Sequence, residues 1–108
     1  MQETQVIRSL SALAHEARLR IFRALVVAGP EGLTPTALAQ QLSIAANALS
    51  FHLKELSHAE LVSQEKQGRH VLYRAEFPAM HGLLSYLSDN CCQGAACAVE
   101  PNTQPCKC

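Results

Sequence analysis

Two apolar stripes of helical spacing, joined by a segment too short for more than a tight turn, constrain this chain more than any other feature. Ala37, Leu38 and Leu42 make the first and Leu49, Leu53 and Leu56 the second, and Ser43-Ile44 between them leaves room only for a tight turn. Thr34 stands where an N-cap is expected, with Pro35 at the first helical position, so the first helix starts there. The second is predicted over Ala46 to His58. Short helix, short turn, longer helix is the helix-turn-helix pattern. Upstream, Val6, Leu10, Leu13 and Ala14, then Leu19, Phe22, Leu25 and Val26, predict two opening helices on either side of the polar break His15-Glu16. Gly29-Pro30-Glu31-Gly32 ends the second of them.

The next segment changes period. Leu61-Val62 starts an alternating strand, Gln67-Gly68 supplies a turn dipeptide, and Val71, Leu72 and Tyr73 supply the return. A β-hairpin directly after the longer helix makes the expected fold mainly α with a β-hairpin wing, a winged helix-turn-helix. The hairpin tip, Lys66-Gln67-Gly68-Arg69-His70, is basic where a wing would meet phosphates. Pro78 begins a last helix with Met80, Leu83, Leu84 and Leu87 on one face, running into Asp89-Asn90-Cys91-Cys92. At 108 residues the chain has length for one core. Residues 1–92 are read as that domain and 93–108 as a flexible cysteine-containing tail, because Ala, Pro, Asn, Gln and Cys dominate there.

All five cysteines, Cys91, Cys92, Cys97, Cys106 and Cys108, fall in that C-terminal stretch. Thiolates are the ligands that soft ions prefer, and no histidine accompanies them. No run is apolar enough to cross a bilayer, and the N-terminus lacks the basic start and unbroken apolar core of a signal peptide. The expected location is therefore cytoplasmic, with no membrane partner. In that compartment thiols stay reduced and serve as ligands or redox sensors rather than as a disulfide framework. Net charge is zero, so charge alone does not argue for nucleic acid; eight of the nine Lys and Arg residues nevertheless lie between Arg8 and Arg74. No nucleophile-base pair and no phosphate-cradling glycine loop is visible, so an enzyme is not expected.

Three signatures in order carry a resemblance: ALAHEARLRI at residues 12–21, Ser50-Phe51-His52-Leu53-Lys54-Glu55-Leu56 in the longer helix, and Ala59-Glu60-Leu61-Val62 entering the wing. Over roughly residues 6–90 the chain resembles the ArsR/SmtB family of arsenic- and metal-responsive repressors. The resemblance implies a homodimer that binds double-stranded operator DNA at an inverted repeat and lets go when an ion binds. It implies DNA contacts from Asn47 and Ser50 to bases or phosphates, from His52 and Lys54 to the backbone, and from Arg69 and His70 at the wing. The chain departs from the family at Glu60, where a glycine is usual, which implies strain at that corner. It departs again at Ala45, Ala46 and Ala48, where polar residues are common. His15, His58 and His81 sit beside apolar faces and are read as core or surface residues.

Family members place their ion sites differently. One arsenic-sensing branch has Cys-x-Cys-x-x-Cys before the recognition helix, and Thr36 to Leu42 has no cysteine. The zinc-sensing branch has paired histidines and carboxylates on the last helix, where this chain has only His81 and Asp89. The Cys91-Cys92 pair with Cys97 resembles the arsenic sensors whose thiols sit at the C-terminal end. Trivalent arsenic or antimony takes three thiolates in a pyramid, whereas structural zinc takes four ligands in a tetrahedron. Adjacent cysteines on an intact helix point about 100° apart, so both reach one ion only where the helix frays, and Gly94 supplies the break. Cys106 and Cys108 offer an alternative: a zinc or cadmium site completed by the tail. A thiol redox switch and an ion-trafficking protein stay open as further readings.

Overall fold

The computed structural model describes residues 1–90. All five cysteines, the 93–108 tail and the turn expected at Gly94 lie outside the described residues. The described chain runs α1 (Glu3–Leu13), α2 (Glu16–Ala28), a 3-10 turn (Gly29–Glu31), α3 (Pro35–Leu42), α4 (Ala46–His58), β1 (Val62–Gln67), β2 (His70–Ala75) and α5 (Phe77–Ser88). This is the expected winged helix-turn-helix, five helices and a two-stranded antiparallel hairpin. The last helix starts one residue before Pro78, which then occupies its first turn.

Local chemistry fixes the starts of the helices. Thr34 Oγ1 accepts from the Ala37 N–H at 3.1 Å at the head of α3, and His15 Nδ1 does the same for Ala17 at the head of α2. Burial supplies the rest. Ile21 and Leu25 from α2, Leu38 from α3, Leu49, Leu53 and Leu56 from α4, and Leu61 before the wing are almost fully enclosed in one core. Each such side chain contributes about 1.5–3 kcal/mol relative to its exposed state. The three α4 leucines are the stripe that marks this helix in the sequence, so the same residues that make the pattern hold the helix in place.

The turn between α3 and α4 rests on Ser43, which takes a left-handed conformation (φ 55°), while the N–H of Ile44 donates to the Ala39 carbonyl at 3.1 Å. The corner between α4 and the wing is built in a similar way. Leu61 N–H donates to Leu56 O and Glu60 N–H to Ser57 O, both at 3.0 Å, a Schellman closure with Glu60 at the left-handed position, φ 62°. That is the strain expected where the family carries glycine. Glu60→Gly is therefore expected to raise stability by about 1 kcal/mol, the cost a side chain incurs in that region. A urea denaturation midpoint unchanged or lowered in the variant would show the corner to be unstrained.

The hairpin corrects the sequence expectation by one residue. Gln67 pairs with His70, so the two-residue turn is Gly68-Arg69 rather than Gln67-Gly68. Gly68, at φ 60°, takes the first central position, which demands a positive φ that glycine accepts without strain. The wing is also tied to the body by a third segment. Leu33 and Tyr73 exchange two backbone hydrogen bonds of 2.9 Å, forming an isolated antiparallel bridge.

Candidate nucleic-acid interface

The buried stripe of α4 decides which of its residues face outward. Asn47, Ser50, Phe51 and Lys54 are all exposed, spaced as one row along the helix, while Leu49, Leu53 and Leu56 point into the core. Three of the four residues expected to contact DNA from this helix thus share a solvent-facing row. Asn47 Oδ1 accepts from the Ala48 N–H at 2.9 Å, a bond that engages the oxygen and not the NH2 group of this amide.

His52 stands apart from this row. It is half-buried, its ring lies 4.7 Å from that of His15 at the start of α2, and its Nδ1 is enclosed without a hydrogen-bond partner. Its place is the seat of α4 against α2. Burial first, then the neighbouring His15 and Arg18, hold the His52 imidazole below its ordinary pKa, with Glu55 opposing them. An imidazole with a depressed folded pKa favours the neutral form. Its contribution to stability is present above the ordinary value of about 6.5 and is lost as pH falls through the lower folded value. Thermal stability is accordingly expected to drop on acidification below pH ~6.5 more in the wild type than in His52→Gln. Parallel pH profiles of the two proteins would remove His52 from this role.

At the wing, Arg69 in the turn and Lys66 and His70 beside it are exposed. Arg74 at the base is differently engaged: its Nε donates to Pro30 O and its Nη1 to Glu65 Oε2. That guanidinium, by hydrogen bond and charge together, holds the Glu65 carboxyl below the usual carboxylate range, and Gln67 adds to the effect. The charge at the wing base is thus paired, while Lys66, Arg69 and His70 at the tip form no ion pair among the described residues. Two contacts not foreseen from sequence brace the scaffold behind the reading helix. Gln5 Nε2 donates to Ala59 O at 2.9 Å, tying α1 to the end of α4, and Arg18 Nε donates to Ala12 O at 2.8 Å, closing the α1–α2 corner. Neither has a local sequence signal, because each joins positions that only the fold brings together.

Phe51 is a further outward residue of α4, and periodicity alone marks it. It lies two residues from Leu49, about 200° round the helix from the buried stripe. Among the described residues no group of three or more His, Cys, Asp or Glu side chains comes together to hold a metal ion. The expected thiol ligands Cys91, Cys92 and Cys97, and the less favoured Cys106 and Cys108, lie outside the described residues. No described helix is long and apolar enough to cross a membrane.

Comparison with known proteins agrees with this geometry. A helix-turn-helix domain family matches residues 13–65. An ArsR-like transcriptional regulator from Rhodococcus sp. RHA1 is similar at 27% identity and a TM-score of 0.70, over 79% of this chain and 77% of that one. NolR from Sinorhizobium fredii is similar at 30% identity and 0.64, over 86% and 88%. A protein described as a possible transcriptional regulator for arsenical resistance is similar at 28% identity and 0.63, over 74% and 80%. No curated protein matches. The chain belongs to the ArsR family of winged helix-turn-helix transcriptional regulators, a family of DNA-binding proteins rather than enzymes.

Proposed function

We propose that this regulator is a homodimeric repressor that binds an inverted-repeat operator and is released when trivalent arsenic or antimony binds Cys91, Cys92 and Cys97. The observation that carries the reading is the place of Cys91, Cys92 and Cys97 in the sequence, three to nine residues beyond α5, on a body whose α4 presents Asn47, Ser50 and Lys54 outward. Three thiolates match the pyramidal preference of trivalent arsenic. The likeness to a protein described in connection with arsenical resistance is in keeping with this choice.

Surfaces left uncovered support dimerisation. Ile7 and Leu10 on α1 and Leu84 and Leu87 on α5 are between 41% and 58% exposed, apolar surface on two neighbouring helices that a second copy of the chain would cover. Beside them lies an apolar groove of about 320 Å³, lined by Leu13, Phe22, Val26, Leu61, Met80 and Leu84 among others. Two recognition helices related by a two-fold axis can enter successive major grooves about 34–36 Å apart, which one helix cannot.

A gel shift tests the whole reading. Duplex DNA selected by the protein from a random pool is bound at low salt and challenged separately with arsenite, antimonite, zinc, cadmium and peroxide. Release by arsenite and antimonite at the lowest concentrations supports the proposal. Release by zinc or cadmium alone would transfer the function to the divalent-ion reading, and release by peroxide alone to the redox reading.

A further inference from the structure

We propose that Phe51 is a specificity residue that reads the 5-methyl group of a thymine in the major groove. An isolated exposed apolar side chain needs no explanation in itself. The placement of this one does. Phe51 is 54% exposed on α4, nearly opposite the buried stripe, in the row it shares with Asn47, Ser50 and Lys54. Its neighbours toward the start of the helix, Ala45, Ala46 and Ala48, are small, so Phe51 projects as the bulkiest apolar group of the outward face. On its inner side the ring meets the edge of His52, with centroids 5.6 Å apart and planes at 66°, which steadies it without covering it.

The assignment rests on the operator-binding reading and says which base that row selects. In the major groove thymine alone among the four bases presents a methyl group, and an apolar side chain is its complement. Cytosine at the same position would direct its N4 amino donor at a ring that cannot accept it well, leaving a polar group without a partner. Phe51 therefore favours thymine both by the contact it makes and by the mismatch it imposes. The polar neighbours Asn47 and Ser50 remain free to bond adjacent base edges or phosphates, so the row would combine one apolar reader with polar ones.

The test uses the full chain and a duplex it selects from a random pool. Each thymine in a half-site is replaced in turn by deoxyuridine, which removes only the methyl group. One position per half-site is expected to weaken wild-type binding about 4-fold, the effect of losing one buried methyl. Phe51→Ala, folded as judged by an unchanged thermal midpoint, should bind more weakly and should not distinguish thymine from uracil at that position. Equal uracil penalties in both proteins, or no penalty at any thymine in the wild type, would overturn the assignment while leaving operator binding intact. Failure to select any DNA would instead bring down the operator-binding reading, and this assignment with it.

Discussion

Single replacement of Cys91, Cys92 or Cys97 by serine is expected to give a protein that binds the selected DNA as tightly as wild type and stays bound when arsenite is added. The wild type should lose about 100-fold in affinity, equivalent to a coupling of about 2.7 kcal/mol and within the usual 1–3 kcal/mol range. On the proposed three-thiolate site each cysteine is one ligand of three, so each loss should remove the response rather than trim it. Titration of the operator complex with arsenite reads the effect directly. The double change Cys106→Ser/Cys108→Ser should respond almost normally, and a requirement for far more arsenite in that variant would move the site into the tail.

Contacts within the described fold connect α5 to α4, the second helix of the helix-turn-helix. The backbone at Gly82 in α5 lies close to Met1 beside the start of α1, so that a Cβ there would be 3.2 Å from Met1 Cε. Gln5 on α1 holds the Ala59 carbonyl at the end of α4. At the other end of α5, the Glu76 N–H donates to Leu61 O at 2.8 Å, in the corner where α4 meets the wing. Displacing α5 would therefore act on α4 from two sides. A dimer whose interface includes α1 and α5 would turn the same displacement into a change in the spacing of its two recognition helices.

The helical framework was legible because its signals are local or periodic. Leu49, Leu53 and Leu56 mark α4, and Thr34-Pro35 marks the start of α3. The bounds Ala46–His58 follow from the stripe together with the brevity of Ser43-Ile44. What escaped depends on contacts between distant segments. His52 stands three residues after Leu49 and four before Leu56, on the flank of the buried stripe, but its neighbour His15 is set by the packing of the α2 start against α4, which no local pattern records. Leu33 carries no strand pattern, since a single bridging residue has no period, yet it holds the wing through Tyr73. The hairpin turn differs by one residue from the sequence expectation because Gln67-Gly68 and Gly68-Arg69 both satisfy a glycine turn until the pairing of Gln67 with His70 sets the register. For the thiols, residue type and number could be read from sequence, whereas their arrangement depends on how the chain continues beyond α5.

Gly32→Ala is expected to cost about 3 kcal/mol of stability, and Gly68→Ala only about 1 kcal/mol, although both glycines occupy the left-handed region. Their φ values are close, 70° and 60°, so the backbone strain added by a side chain is nearly the same at the two sites. Space separates them. A Cβ at Gly32 would lie 2.5 Å from the Tyr73 carbonyl oxygen and 2.9 Å from Arg74 Cγ, whereas one at Gly68 meets nothing within 4 Å. The Arg74 side chain is anchored to Pro30 and Glu65, which limits how far it can give way. The Tyr73 oxygen is fixed backbone that accepts from the Leu33 N–H, so relieving the clash strains or breaks the bridge to the wing. Two backbone hydrogen bonds at about 1 kcal/mol each, added to the common strain, account for the difference. Urea denaturation of both variants measures it. Equal losses at the two positions would show that the wing root accommodates a side chain, and that Gly32 is there for its φ alone.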